Sequence, residues 1–265
     1  MSGRFTFDEE GFYSNDKTFI IPLGNLYLLA LLNSRLTWFY LESICAGHGD
    51  RNEGGRLELR SIYMEQIPIH RINFTTPTAE RATALAKACA LYQTYLQDGD
   101  RAPILTFVAG CLARQPEASD IVHDLLAFLA EEMLRLNREK RALQQEFLSW
   151  LEQKLRIQPM PDKDGRTGID ALSGKTDLQN YPGDYQKNEE PLTTTRLRQI
   201  LLDNRRRLLV YLNDALLNEV EAVYLPNVER VKVLKEGLRL TDRLIDYVVY
   251  GLYGLSEDEI GVVEG

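Results

Sequence analysis

The stretch EASDIVHDLLAFLAEEMLRLNREKRALQQEFLSWLEQKLRI, residues 117–157, contains neither proline nor glycine. Without a helix breaker it spans roughly eleven turns of α-helix. Ile121, Leu125, Phe128, Leu129, Leu136, Leu143, Phe147, Leu151 and Leu155 recur at helical spacing and form one apolar seam, which the charged run Arg138-Glu-Lys-Arg141 interrupts. The spacing predicts an extended, coiled-coil-like helix that pairs along this seam.

Helix continues on both sides. Thr76 followed by Pro77 reads as the N-cap and first residue of an Ala-rich helix reaching about Tyr95. Residues 158–191 are rich in proline and glycine, with few core residues, and read as a long loop or linker. Helix returns near Thr194 and is expected to run to Leu255, interrupted at Pro226. Ser256-Glu-Asp-Glu259 has capping-box spacing and predicts one last short turn.

The front of the chain has a different character. Phe5-Thr-Phe, Phe12-Tyr and Thr18-Phe-Ile-Ile alternate with turn residues and predict two or three short strands. Gly24-Asn25 opens a helix of about five turns through Tyr40. A polar, Gly-rich loop at 46–55 precedes an expected strand, Arg56-Leu-Glu-Leu-Arg60, and an edge strand, Gln66-Ile-Pro-Ile69. The expected fold is mainly α with a small α+β N-terminal part: short antiparallel strands and one helix, then long helices. The segments are 1–74 (α+β), 75–157 (helical, with the long helix 117–157), 158–191 (loop or linker) and 192–265 (C-terminal helices packing with the preceding ones).

The chain has 265 residues, and 31 Lys and Arg against 39 Asp and Glu give a formal charge of −8, which excludes a wholesale basic coat but not local basic faces. The surplus acid sits in the last third, where residues 161–265 hold 14 basic and 19 acidic side chains, while residues 1–74 hold 7 and 9. Cys45, Cys89 and Cys111 are odd in number and lack CxxC spacing, which fits a reducing cytoplasm and gives no reason to expect zinc. No apolar leader opens the chain, and residues 26–46, its most apolar stretch, include Asn33, Ser34, Arg35 and Glu42. That stretch reads as a buried helix, with no membrane as partner.

No catalytic constellation assembles from the sequence. His48, His70 and His123 lack HExxH or HxH spacing, so surface or hydrogen-bonded roles outweigh ligation or acid–base work. Gly47-His-Gly49 has a helix before it and a strand after it, the reverse of a phosphate-binding turn. On a strand of period two, Arg56, Glu58 and Arg60 share one face and Leu57 and Leu59 the other. The arginine face, with Asn15, Lys17, His48, Arg51, Asn52, Gly54, Gly55 and Tyr63, has the residue types that contact phosphates and base edges. A solvated strand face is the alternative. Arg205-Arg-Arg207 likewise reads as a solvated helix face or a phosphate contact.

Two stretches carry a resemblance. Phe12-Tyr-Ser-Asn-Asp-Lys-Thr-Phe-Ile-Ile-Pro22, Tyr27-Leu-Leu-Ala-Leu-Leu-Asn-Ser-Arg35 and Gly54-Gly-Arg-Leu-Glu-Leu-Arg-Ser-Ile-Tyr-Met-Glu-Gln-Ile-Pro-Ile69 resemble the TaqI-like C-terminal specificity domain of adenine-specific DNA methyltransferases. The tail, Asp242-Arg-Leu-Ile-Asp-Tyr-Val-Val-Tyr-Gly-Leu-Tyr-Gly-Leu-Ser256 and onward, is similar to the last residues of type IIG-like restriction-modification polypeptides and related phage-defence methylases. The resemblance implies that 1–74 is part of a target-recognition domain, gripping double-stranded DNA while a separate methyltransferase domain or subunit receives a flipped adenine. The family's Asn-Pro-Pro-Tyr motif and its Gly-rich turn for S-adenosylmethionine are absent, and Pro161-Asp162 lacks the rest of a PD-(D/E)xK nuclease motif. The expectation is therefore a C-terminal recognition and scaffold fragment, non-catalytic by itself and holding no cofactor or metal. Its parent would be a site-specific adenine methyltransferase using S-adenosylmethionine, with or without a nuclease. The alternative is a helical protein–protein interaction module of such a system without direct DNA contact.

Overall fold

Asn25 and Ser34 decide how the front of the chain is built. In the computed structural model, which describes residues 5–8, 11, 20–21, 24–48, 56–159 and 165–265 except the side chains of His48 and Arg56, Asn25 accepts from the Leu28 N–H and starts α1 (Leu26–Asn33). The Ser34 hydroxyl donates to the Leu31 carbonyl at 2.7 Å, ending α1, and accepts from the Thr37 N–H, starting α2 (Arg35–Ile44). The expected single helix is thus two. A serine hydroxyl offers backbone groups an alternative to the helical ladder, and this one is buried against both helix ends.

The strand expectations fare differently along the front. Residues 12–19 lie outside the described residues. Phe5 has no ladder partner; its N–H and carbonyl are both bound by the Asn33 side-chain amide, at 2.9 and 3.1 Å. The ladder among the described residues is β1 (Gly47–His48) against β2 (Arg56–Leu57), antiparallel, with His48 opposite Arg56. Beyond β2 the Glu58 N–H still donates to the Ala46 carbonyl at 2.9 Å, no strand continues through 58–60, and α3 (Ser61–Met64) follows. Residues 66–69, expected as an edge strand, form none. A small apolar cluster holds this part: Leu32, Leu41, Cys45 and Ile67, with Trp38, Leu57, Leu59 and Tyr63 packed on it.

The remainder is helical: α4 (Thr78–Asp98), α5 (Ala102–Leu112), α6 (Ser119–Leu155), α7 (Lys175–Gln179), α8 (Thr194–Asp203), α9 (Asp214–Tyr253) and α10 (Glu257–Glu264), with 3-10 turns at Gly168–Ala171 and Arg205–Arg207. Pro77 rather than Thr76 caps α4, because both the hydroxyl and the N–H of Thr76 are engaged by the Asp120 carboxylate. Gly99, at φ 75, closes α4 in the left-handed region that favours glycine. Ser256 and Glu259 form the expected capping box of α10.

The chain divides into two compact units, Met1–Met133 with Leu240–Gly265, and Leu134–Arg239. Both boundaries fall inside α6 and α9, whereas the compositional segments follow local sequence character. In the first unit Tyr92 donates to or accepts from Thr241 and stacks edge-on with Phe128, while the Tyr95 hydroxyl donates to the Leu240 carbonyl. Seam residues Ile121, Leu125 and Leu129 are fully buried there.

In the second unit the seam residues Leu143, Phe147, Leu151 and Leu155 do not meet one partner helix. They share a core with Leu197, Ile200 and Leu201 of α8, Leu217, Val220, Tyr224, Val228 and Val231 of α9, and Ile169, Leu172, Leu178 and Tyr181. This corrects two expectations: the long helix is not a coiled coil, and 158–191 supplies four core residues instead of a bare linker. Nor does Pro226 interrupt α9. It removes one helical hydrogen bond, a cost of about 3 kcal/mol in a free helix, but its neighbours are held by tertiary bonds. The Tyr224 hydroxyl donates to the Leu192 carbonyl. Buried Asn227 donates to the Leu143 carbonyl at 3.2 Å and accepts from the Tyr181 hydroxyl.

Asn227→Ala would take the nearer acceptor from the buried Tyr181 hydroxyl and leave the Leu143 carbonyl, in the interior of α6, to its remaining partners; a buried polar group left unsatisfied costs about 1–3 kcal/mol. The variant is expected to lose roughly 1–3 kcal/mol in urea unfolding, whereas Val233→Ala, at an exposed position of the same helix, is expected to stay within about 0.5 kcal/mol of the parent.

Candidate nucleic-acid interface

The ladder between β1 and β2 sets His48 opposite Arg56. Arg51, Asn52, Gly54 and Gly55 lie outside the described residues, as do Asn15 and Lys17 and the side chains of His48 and Arg56. Just beyond β2, Arg60 is exposed and caps the start of α3 with extended backbone, φ −102 and ψ 155. Its guanidinium pairs with Glu58 at 2.7 Å, and the hydrogen bond to that carboxylate raises its pKa further. The period-two alternation persists to this point. Leu57 and Leu59 pack on the front cluster, while Glu58 and Arg60 meet on the other side. Tyr63 is half-buried, its ring packed on the same cluster. Of the ten candidate residues, the described side chains are thus one exposed arginine, already neutralised by a carboxylate, and one tyrosine committed to packing.

What holds this part in place is a set of residues that no local pattern marks. The Arg35 N–H, at the first turn of α2, donates to Asp246 Oδ1 at 2.8 Å, and its guanidinium Nε lies 3.4 Å from Asp246 Oδ2 and Nη1 3.5 Å from Glu264. An α9 carboxylate therefore sits at the positive end of α2, where an anion is favoured. The Asp246 side chain is only 8% exposed. Burial, aided by Asp242 and Glu264, outweighs the Arg35 hydrogen bond and charge and pushes its pKa up to about 7.

A second anchor replaces the missing edge strand. The Tyr253 hydroxyl accepts from the His70 N–H at 3.0 Å and donates to the Pro68 carbonyl at 2.6 Å. Tyr40 donates to the Gln66 carbonyl, and Tyr27 to the His70 carbonyl. Three tyrosine hydroxyls thus take the backbone groups a neighbouring strand would have taken. Close by, the His123 ring is packed between Tyr27 and Phe74, at 4.6 and 5.0 Å between centroids, and its Nδ1 lies 3.0 Å from Asp124. Asp124 is also gripped at two points by Arg81. These contacts make His123 and His70 framework residues of the front.

Chemically the surroundings are quiet. Burial raises the thiols of Cys45, Cys89 and Cys111, opposite to the direction that activates a nucleophile. Among the described residues no three His, Cys, Asp or Glu side chains converge to hold a metal ion. No helix among them is long and apolar enough to cross a membrane. No family model matches the chain, and neither a curated protein nor a solved structure matches it.

The Asp246 clasp has a pH signature. Its folded pKa lies above the ordinary carboxylate value near 4, so between about pH 4 and 7 the unfolded chain gives up a proton that the folded chain keeps. The associated stability is present in full below pH 4, falls as pH rises toward 7 and levels off above it. Urea midpoints of Asp246→Asn, which keeps an acceptor for the Arg35 N–H, are expected to lack that component of the decline. Equal pH slopes in variant and parent would contradict it.

Proposed function

We propose that this chain is the target-recognition and scaffold portion of a site-specific adenine DNA methyltransferase, with double-stranded DNA as its ligand and a methyltransferase domain or subunit as its partner. One observation carries the reading: the two stretches that resemble that family, far apart in sequence, are bonded together in one unit. Asn33, Ser34 and Arg35 of the front stretch each have a distinct task. Asn33 holds Phe5, Ser34 caps α2, and Arg35 meets Asp246 of the tail. Pro68 and His70, at the end of the front stretch, meet Tyr253 of the tail. This supports a recognition surface carried by the part of the chain around β1 and β2 and braced by the C-terminal helices.

In this reading the chain carries no reaction by itself. It positions DNA so that a partner bearing S-adenosylmethionine receives a flipped adenine, a step required because the amino group is shielded in the stack. The α+β character of the front and a cytoplasmic location belong to the same reading.

Replacing Arg51, Arg56 and Arg60 together by alanine tests it. Fluorescence anisotropy with duplex DNA is expected to show salt-sensitive binding by the parent chain and its loss in the variant, with an unchanged far-UV circular dichroism spectrum. No salt-sensitive DNA binding by the parent chain would favour the interaction-module alternative, and undiminished binding by the folded variant would overturn the assignment of DNA contact to these arginines.

A further inference from the structure

The sequence offered Arg205-Arg-Arg207 as a solvated helix face or a phosphate contact, and the front of the chain does not use it. In the structure it is a 3-10 turn just past α8. Buried Asn204 fixes its start, accepting from the Ser173 N–H and donating to the Ser173 and Ile200 carbonyls. Its end is fixed by an isolated antiparallel bridge, Ile157 to Leu208, with Gln158 N–H donating to the Arg207 carbonyl at 2.8 Å and Leu209 N–H to the Arg156 carbonyl at 3.0 Å.

Ile157 and Leu208 belong to the core of the second unit. In this antiparallel register Arg156 stands opposite Leu209, and Gln158 opposite Arg207. Arg156, Arg205 and Arg206 are exposed, Leu209 is 63% exposed and Tyr211 87%. The carboxylates nearest in sequence have partners elsewhere. Asp203 accepts from Gln199, Glu152 from the Ile169 N–H, and Asp214 lies 3.9 Å from Arg198. Among the described residues none of the four arginines forms an ion pair. Arg156 moreover follows the last residue of α6 at φ 47, where glycine is the favoured residue. Exposed arginines without ion pairs and an exposed tyrosine are the side chains that phosphates and bases engage.

We propose that Arg156, Arg205, Arg206 and Arg207, with exposed Tyr211 four residues past Arg207, form a second, sequence-independent contact with duplex DNA, on the unit Leu134–Arg239. It rests on the DNA-binding reading above but on none of the residues assigned there.

The test compares three full-length chains on a fluorescent duplex of about 30 random base pairs between about 50 and 200 mM salt. They are the parent, R51A/R56A/R60A, and R156Q/R205Q/R206Q/R207Q. Each lost phosphate contact lowers the slope of log affinity against log salt by about 0.9, so the glutamine variant is expected to lose about 2 to 4 of that slope. The corresponding lysine variant is expected to keep most of it. In the parent, 5-iododeoxyuridine-substituted duplex is expected to photocrosslink to Tyr211, a readout independent of whether any variant folds. An unchanged slope in the folded glutamine variant, absence of the Tyr211 crosslink, or a preference for anionic vesicles over DNA would overturn the inference while leaving the front reading standing. Loss in the glutamine variant with none in R51A/R56A/R60A would overturn the front reading and keep this one. No DNA binding by the parent would overturn both.

Discussion

Backbone groups that belong to no ladder or helix govern the front of this chain. A buried N–H or carbonyl without a partner costs about as much as a hydrogen bond is worth, and here a two-residue ladder meets almost none of that demand. Side chains meet it instead. Asn33 takes both groups of Phe5, Ser34 and Asp246 take free groups at the junction of α1 and α2, and Tyr40, Tyr27 and Tyr253 take those of 66–70. Asp246 and Tyr253 lie in α9, about 180 to 210 residues from their partners. These bonds tie the front, and any recognition surface it presents, to the C-terminal end of α9.

Helices were legible where the determinants are local. Residues 117–157 were read from the absence of breakers and from apolar spacing, and α6 spans Ser119–Leu155; the capping box of α10 was read from four residues. The failures share a cause. Ser34 breaks a helix that periodicity joins, because its hydroxyl competes with the ladder only where burial removes water as the alternative partner. Pro226 fails to break a helix because Tyr224 and Asn227 are tied to groups outside it. Composition hid the core residues Ile169, Leu172, Leu178 and Tyr181 among prolines and glycines that shape the turns between them. Each outcome depends on a partner distant in sequence.

The candidate site divides along the same line. The alternation of Leu57 and Leu59 against Glu58 and Arg60 is a two-residue period, and it holds past the end of the paired strand because apolar burial, not the ladder, sets the face. Residue type pointed to Tyr63 as a contact residue, while its packing makes it part of the cluster beneath. Nothing in the order of residues signals that Arg156 would stand opposite Leu209, two residues past Arg207. That neighbourhood exists because the end of α6 and the exit of the basic turn are bridged through Ile157 and Leu208.

Net charge is a poor guide to such a surface. The last third holds most of the surplus acid, yet much of that acid is matched locally: Glu219 by Lys154, Glu221 by Arg198, Asp177 by Arg196, Glu229 by Lys232 and Glu236 by Arg239. Exposed pairs of this kind contribute little stability, but they cancel field at short range. What an approaching polyanion meets within a Debye length of about 8 Å is the unmatched remainder. At the bridge between 156–158 and 207–209 that remainder is basic. A chain of formal charge −8 can therefore offer phosphates a compact cationic face, fixed in place by Asn204 and by two backbone hydrogen bonds.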